Sequence, residues 1–206
     1  MIRNLLLDMG GVILDVDYTK IISGFDALGV DASKVYTQAM QMPFVDKFEI
    51  GRITPKEFCS EIRKLLNKDF TDQQIIEVWN SMILDVRKST IDLLKEIKQH
   101  YNKLLLFSNT NETHMQFVRK DFKEKLGFDI FTELFDRSYL SNEIHYRKPD
   151  KEAFLFVLKD ANINANETLF IDDTEKNIIG AKRVGLNAYL IKKDETLIDI
   201  HKKGII

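Results

Sequence analysis

Asn4-Leu5-Leu6-Leu7-Asp8-Met9-Gly10-Gly11 reads as a short buried strand that ends in a carboxylate and two glycines. Three consecutive leucines show no polar alternation, which is typical of a parallel strand covered by helices on both faces. Three more apolar runs have the same character. They predict further strands of one sheet at Lys103–Ser108, Thr168–Asp172 and Asn187–Ile191, and a weaker strand is predicted near Leu134-Phe135-Asp136.

Helical patterns fill the gaps between these strands. Apolar residues recur at helical spacing in four segments, Ser89–His100, Asn111–Lys125, Asp150–Asp160 and Thr174–Val184. The last segment is followed by Gly185, a typical helix C-cap. Strands that alternate with helices in this way predict an α/β fold, here a Rossmann-like three-layer core with a parallel sheet.

Residues 17–84 have a different character, because they contain no convincing strand. Thr54 and Thr71 stand where helix N-caps belong, and Glu57 follows Thr54 at capping-box distance. The segment therefore predicts an all-helical insertion, with residues 1–16 and 85–206 forming the α/β core. The predicted helices of the insertion are Ala32–Gln41, Pro55–Asn67 and Thr71–Met82.

Composition excludes several classes of protein. The 206 residues carry 30 Lys+Arg and 32 Asp+Glu, a net charge of −2, so no electrostatic reason exists to expect binding to nucleic acid or to a membrane surface. Cys59 is the only cysteine, which excludes a disulfide framework and a zinc site built from several cysteines. No apolar stretch is long enough for a membrane span and no signal peptide is visible, so we expect a cytoplasmic protein. Nothing in the sequence indicates an oligomeric state.

Polar residues follow the predicted strands at their carboxyl ends, where ligands bind in open α/β sheets. Asp8 and Ser108 end two strands, and Asp172-Asp173 ends a third. Lys148 precedes a helix in a loop that can reach the same edge. Carboxylates without His or Cys favour a hard cation such as Mg²⁺, and one of them can attack phosphorus.

The remaining groups of this edge suit a phosphoryl group. A lysine and a hydroxyl offset the charge on phosphoryl oxygens, and Gly10 and Gly11 let backbone N–H groups approach closely. Each element alone is an ordinary turn or cap, so the prediction depends on their order and their strand placement together. We therefore predict phosphoryl transfer assisted by a metal ion.

Four motifs in this order resemble those of the haloacid dehalogenase-like (HAD) hydrolase superfamily. The helical insertion occupies the position of that family's C1-type cap. Two cap segments, Phe48–Ile53 and Trp79–Met82, are similar to the branch that includes bacterial glucose-1-phosphate phosphatases. The four motifs are Asp8-Met9-Gly10-Gly11-Val12, Ser108-Asn109-Thr110, Arg147-Lys148-Pro149-Asp150 and Ile171-Asp172-Asp173.

The resemblance implies a role for each motif. Asp8 would be the nucleophile and a Mg²⁺ ligand, the Gly10 carbonyl a second ligand, and Asp173 with Asp172 would complete the metal site. Ser108 and Lys148 would bind the phosphoryl group with help from the backbone of Asn109. The implied activity is a Mg²⁺-dependent phosphatase for a small phosphorylated metabolite, most plausibly a sugar phosphate, which forms an aspartyl-phosphate on Asp8 that water then hydrolyses.

Gly10 departs from the family pattern, since most phosphatases of this superfamily have a second Asp there that protonates the leaving group. Three interpretations follow. The substrate can have a leaving group that needs less protonation, such as an anomeric sugar phosphate. Another group can supply the proton, with Asp15, Asp17 and His114 as candidates, although Asp17 also fits a helix cap. Alternatively, the chain is a weakly active or inactive homologue that binds a phosphometabolite.

A metal-independent haloacid dehalogenase is a further alternative, because such enzymes share the fold and the Asp nucleophile. They generally carry Tyr where this chain has Gly10, and the Asp172-Asp173 pair suits a metal better than a halide. A phosphomutase is disfavoured by the missing acid–base Asp.

Three other residues of the insertion carry expectations. Trp79 and Cys59 are expected in the core of the cap, and Arg52 either lies on the surface or faces the site.

Overall fold

The computed structural model of the chain describes residues 1–30 and 42–206. Strands of a parallel sheet alternate with helices along the chain, as expected for an α/β protein. In chain order the elements are β1 (Asn4–Leu7), β2 (Leu14–Val16), α1 (Thr19–Ala27), α2 (Pro43–Glu49), α3 (Pro55–Leu66), α4 (Asp72–Asn80), β3 (Ile83–Val86), α5 (Lys88–Lys98), β4 (Lys103–Ser108), α6 (Glu112–Leu126), α7 (Ile130–Glu133), β5 (Arg137–Leu140), α8 (Ser141–Ile144), α9 (Lys151–Asp160), a 3₁₀ turn (Ala165–Glu167), β6 (Thr168–Asp172), α10 (Glu175–Arg183), β7 (Asn187–Leu190) and α11 (Leu197–Lys202).

The main sheet has five parallel strands in the order β5-β4-β1-β6-β7. Alternate leucines of β1 enter different apolar clusters: Leu5 and Leu7 pack on one face of the sheet and Leu6 on the other. Helices α5, α6 and α11 cover the first face, and α9 and α10 cover the second. Burial on both faces explains why these strands are continuously apolar, and it confirms the predicted three-layer Rossmann-like core.

The helical segment between β2 and β3 has an apolar cluster of its own. Helices α1 to α4 contribute aromatic and aliphatic side chains to it, with Phe58 stacked on Phe48 and tilted against Trp79. Trp79 and Cys59 are buried in this cluster, as the sequence predicts. The predicted helix at Ala32–Gln41 lies outside the described residues. None of the helices in residues 1–30 and 42–206 combines the length and the apolarity that a membrane crossing requires.

The predicted helices and strands of the core agree with the structure within two residues, but two predictions about strands are wrong. The weak strand expected at Leu134-Phe135-Asp136 lies instead at β5. Leu134 and Phe135 are apolar because they fill the core from the preceding turn, whereas β5 is an edge strand that leaves Arg137 exposed. Residues 17–84 were expected to lack strands, yet β3 begins at Ile83, because it pairs with the distant β2.

Two threonines begin helices of the insertion as predicted. Thr54 accepts a hydrogen bond from the Glu57 N–H (3.3 Å), and the Glu57 carboxylate accepts one from the Thr54 N–H (2.8 Å), which completes a capping box. Thr71 forms the same arrangement with Gln74 at the start of α4. These caps satisfy backbone donors that a helix leaves unpaired at its first turn.

Thr54→Ala is expected to lower the free energy of unfolding by about 1 kcal/mol, because it removes the acceptor for a first-turn N–H of α3. Urea denaturation measures the change. Lys56→Ala is the matched control, since Lys56 is exposed in the same turn, and it is expected to change stability by less than about 0.5 kcal/mol. Equal stability of the two variants would mean that the cap contributes nothing.

Candidate active site

Three neighbouring strands carry polar residues to the same edge of the sheet. Asp8 follows β1, which lies between β4 and β6. Ser108 is the last residue of β4 and Asp172 the last residue of β6. Their common placement follows from the parallel arrangement, because the carboxyl ends of all three strands point in one direction. The sequence prediction that these residues converge is therefore met by the fold.

Lys148 reaches this edge from the loop before α9 and is 1% exposed. Its ammonium lies 2.8 Å from Asp8 Oδ1 and donates to Asp172 Oδ2 (2.7 Å) and to the Phe107 carbonyl (2.7 Å). An ammonium has three donors, so all of them are used. Burial alone lowers the pKa of Lys148, but the Asp8 and Asp172 carboxylates outweigh it, and the pKa is raised above its usual value.

Asp172 is fully buried, and its oxygens are occupied by neighbours. Besides Lys148, they accept hydrogen bonds from the Asn177 side-chain amide (3.0 and 3.1 Å) and from the Thr174 N–H (2.8 Å). Asp173, the next residue, is exposed, and it accepts one hydrogen bond from the Thr174 hydroxyl (3.0 Å). The two adjacent aspartates therefore differ in role: one holds the lysine, and the other is available to a ligand.

The carboxylates of Asp8, Asp172 and Asp173 form one cluster, in which an oxygen from each lies within 4.8 Å of the others. Burial raises the pKa of Asp8 to about 7; Lys148 lowers this pKa, while Asp172 and Asp173 raise it further. Desolvation likewise raises the pKa of Asp173. One ammonium faces three carboxylates, so the cluster has excess negative charge when they are ionised. Hard oxygen donors with that excess charge fit a divalent cation such as Mg²⁺.

The loop after β4 is tied to the segment that carries Lys148. Asn109 donates from its side-chain amide to the Lys148 carbonyl (2.8 Å) and accepts from the Lys148 N–H (2.9 Å). Ser108 is buried, and its hydroxyl lies only 3.4 Å from the Asn109 carbonyl, a long contact that leaves it available to a ligand. These hydrogen bonds fix the two predicted phosphate-binding segments relative to each other.

A cavity of about 180 Å³ opens above this cluster. Six predicted site residues line it: Asp8, Gly10, Ser108, Asn109, Lys148 and Asp173. Asp172 lies beneath it, and Gly11 lies beside it in a neighbouring, larger cavity of about 700 Å³. Three charged residues of the lining, Glu49, Arg147 and Lys176, have no role predicted from the sequence. Glu49 belongs to the cap segment Phe48–Ile53, and Arg147 precedes Lys148 in its motif. No local pattern marks Glu49, because its position depends on how α2 packs against the core.

The three candidates for a replacement proton donor are occupied elsewhere. Asp15 forms a bidentate pair with Arg87 (2.9 and 3.1 Å) and lines the larger cavity. Asp17 accepts from the Thr19 N–H (3.0 Å) and hydroxyl (2.6 Å) at the start of α1, which matches the alternative prediction of a cap. Arg52 also lies away from the site, in a separate pocket with Glu57 and Glu112.

His114 lines the cavity, but both of its ring nitrogens have partners. Nε2 lies 3.2 Å from the Trp79 carbonyl, which can only accept, so Nε2 carries the proton. Nδ1 then accepts from the Asn111 amide (3.0 Å), whose oxygen is used by Thr113 and by the His114 N–H. Burial lowers the pKa of His114 to about 4, partly opposed by the Trp79 carbonyl, so the ring is neutral and structural.

Lys148→Met is expected to lower the free energy of unfolding by about 3–5 kcal/mol, because Asp8 and Asp172 would lose their buried counter-ion. Urea denaturation of the purified variant measures this. Lys151→Met is the control, since Lys151 is exposed at the start of α9, and it is expected to stay within about 0.5 kcal/mol. Similar small losses in both variants would contradict the importance of the buried pair.

The chain is similar in sequence to known proteins of one family. Residues 2–185 match the family model of haloacid dehalogenase-like hydrolases. D-ribitol-5-phosphate phosphatase of Bacteroides thetaiotaomicron is 30% identical over 190 residues, which cover 92% of this chain and 91% of that protein.

Solved structures give the same result. A HAD family enzyme from Bacteroides thetaiotaomicron, crystallised with magnesium and inorganic phosphate, superposes with a TM-score of 0.85 at 36% identity, covering 95% of this chain and 96% of the other. A HAD-like hydrolase from Porphyromonas gingivalis gives a TM-score of 0.86 at 28% identity, covering 100% and 98%. The protein belongs to the haloacid dehalogenase-like hydrolase family.

Proposed function

We propose that the protein is a Mg²⁺-dependent phosphatase of small phosphorylated sugars or polyols that forms an aspartyl-phosphate on Asp8. The observation that carries this proposal is the position of Asp8 at the end of the central strand. There it lies beside Lys148, within a carboxylate cluster, and in one cavity with Ser108. The named activity of the ribitol phosphate relative supports the same class of substrate.

Asp8, Asp173 and the Gly10 carbonyl are the groups that would hold Mg²⁺. Asp173 is the better candidate for a direct ligand than Asp172, because the oxygens of Asp172 already accept from Lys148, Asn177 and Thr174. The bound ion supplies positive charge that offsets the phosphoryl oxygens. Gly11 leaves room for this arrangement: a Cβ there would lie 2.2 Å from Asp173 Oδ2.

The side chains of the cavity account for the rest of the chemistry. The Asp8 carboxylate attacks phosphorus, the ester P–O bond breaks, and water then hydrolyses the resulting aspartyl-phosphate. Ser108 binds the phosphoryl oxygens, while the positive charge of Lys148 offsets their negative charge and its 2.8 Å contact orients Asp8. Residues 17–84 act as a cap: Tyr18, Glu49 and Met82 close the cavity from that side, which excludes competing water.

Two alternative functions would give different experimental results. An inactive homologue would bind phosphate esters, raising the melting temperature without releasing phosphate. A haloacid dehalogenase would release halide without a metal ion, but the three clustered carboxylates would then face each other with only Lys148 to compensate them. The excess negative charge of the cluster therefore favours the metal-dependent phosphatase.

Asp8→Asn is expected to reduce Mg²⁺-dependent phosphate release from p-nitrophenyl phosphate by at least about 10³-fold, because an amide cannot form the acyl phosphate. Asp15→Asn is the matched control; it lies in the larger neighbouring cavity, paired with Arg87, and should retain the wild-type rate. Circular dichroism checks that both variants fold. Wild-type turnover by Asp8→Asn would overturn the assignment of the nucleophile, and a wild-type protein that releases no phosphate would overturn the function.

Gly11→Ala is expected to raise the Mg²⁺ concentration for half-maximal activity at least about tenfold, since its Cβ displaces the Asp173 carboxylate. Gly127→Ala is the control: Gly127 has a similar positive φ (+78° against +71°) but open space around it. Both variants carry backbone strain of about 1 kcal/mol. Titration calorimetry with Mg²⁺ provides a second readout, and equal Mg²⁺ affinities of the two variants would exclude Asp173 as a ligand.

A further inference from the structure

A phosphatase for sugars or polyols must release an alkoxide, a basic leaving group that departs slowly unless it receives a proton. Positioned acids typically contribute about 10²–10⁴-fold in rate. Gly10, the second residue after the nucleophile, has no side chain to supply this proton. Asp15 and Asp17 point to other partners, and both nitrogens of His114 are engaged. The donor has to be sought among the remaining residues of the cavity.

Glu49 is the remaining carboxyl group. Among the described residues that line the cavity, the carboxylic acids are Asp8, Asp173 and Glu49, and the first two belong to the metal cluster. Glu49 is the last residue of α2, and its side chain is 17% exposed. Its Oε2 is buried without an aligned hydrogen bond, although the Arg147 guanidinium lies 2.9 Å away. Because the side chain lines the cavity and is partly exposed, a group that enters the cavity can reach the Glu49 carboxyl.

Two contacts of Glu49, one through Ser141 and one with Arg147, hold it in place relative to the phosphate-binding segments. The buried Ser141 hydroxyl donates to the Glu49 carbonyl (2.6 Å) and accepts from the Thr110 N–H (2.8 Å), directly after Ser108 and Asn109. Arg147, the neighbour of Lys148, pairs with the Glu49 carboxylate and also with Asp46 on the same helix. The backbone of Glu49 is therefore tied through Ser141 to the segment after Ser108, and its side chain is positioned by the segment that carries Lys148.

The direction from which Glu49 enters the cavity also suits a proton donor. In phosphoryl transfer, the attacking and leaving oxygens lie roughly in line on opposite sides of phosphorus. Asp8 lines the cavity from the end of β1, whereas Glu49 lines it from the end of helix α2. Glu49 thus belongs to a different wall element from the nucleophile, as a donor to the opposite oxygen requires.

Resting on the proposed phosphatase function, we propose that Glu49 is the general acid and base of the reaction. As Asp8 forms its bond to phosphorus and the ester P–O bond breaks, the Glu49 carboxyl gives its proton to the departing alkoxide, which leaves as the alcohol. The Glu49 carboxylate then takes a proton from the water that attacks the aspartyl-phosphate. Inorganic phosphate is released, Asp8 is regenerated, and Glu49 again carries its proton.

The electrostatic surroundings are consistent with this role. Burial raises the pKa of Glu49 to about 7, while Lys176 and Lys148 lower it. The neighbouring Arg147 favours the ionised form, but Asp46 competes for the same guanidinium. Glu49 therefore carries a proton in a large fraction of molecules near neutral pH, and it can both donate and accept one there.

The test compares leaving groups in the full-length wild-type protein and in Glu49→Gln. Phosphate release with Mg²⁺ is measured for p-nitrophenyl phosphate, phenyl phosphate and ribitol 5-phosphate, in order of increasingly basic leaving groups. Glu49→Gln is expected to lose about 10²–10⁴-fold on the basic leaving groups, but less than about tenfold on p-nitrophenyl phosphate, which needs little protonation. The wild-type rate should fall above about pH 7, and this alkaline limb should be absent in the variant.

Two further variants separate acid catalysis from a structural role. Lys47→Gln changes an exposed residue of the same helix and should keep the wild-type dependence on the leaving group. Glu49→Asp retains a carboxyl group and should recover part of the lost rate. An equal loss on all three substrates in Glu49→Gln, or an already steep dependence in the wild type, would overturn the role of Glu49. Failure of the wild type to release phosphate from p-nitrophenyl phosphate would instead overturn the function on which this inference rests.

Discussion

One buried ammonium group holds the carboxyl edge of the sheet together. Lys148 contacts Asp8 after β1, Asp172 at the end of β6 and the Phe107 carbonyl within β4, so a single atom joins three strands. A charge buried this deeply is tolerated only where every donor has a partner and opposite charge is near. The position of Asp8 therefore depends on the loop before α9 as much as on β1 itself, and the site requires β1, β4 and β6 to be in place.

The same constraint explains why two adjacent aspartates behave differently. Asp172 points into the core and is saturated by Lys148, Asn177 and Thr174, while Asp173 points out toward the cavity. Side chains of consecutive residues in a strand point to opposite sides, which is consistent with the different partners of these two aspartates at the end of β6. One carboxylate stabilises the lysine, and the other is left with unused lone pairs. The sequence alone leaves the choice between them open, because it contains no information on which face of β6 meets Lys148.

Local sequence patterns account for the features that could be predicted, and contacts between distant segments account for those that could not. Continuous apolar runs specify buried parallel strands, and their order along the chain brings Asp8, Ser108 and Asp172 to one edge. The caps at Thr54 and Thr71 follow from residues three positions apart. By contrast, β3 exists because it pairs with β2, and Glu49 reaches the cavity because α2 packs on residues 141–147. These contacts join segments far apart in the chain, and no local pattern encodes them.

One hydrogen bond between helix α2 and the core can be broken at low cost. The Ser141 hydroxyl has one hydrogen, which it can give either to the Glu49 carbonyl (2.6 Å) or to the Thr110 carbonyl (2.9 Å). When α2 moves away, the hydrogen turns to Thr110, and this buried hydroxyl keeps a partner. The Glu49 carbonyl, which ends a helix, then bonds to water. Because the Ser141 hydroxyl keeps a partner in either arrangement, breaking its hydrogen bond to α2 avoids the penalty that an unpaired buried group would impose.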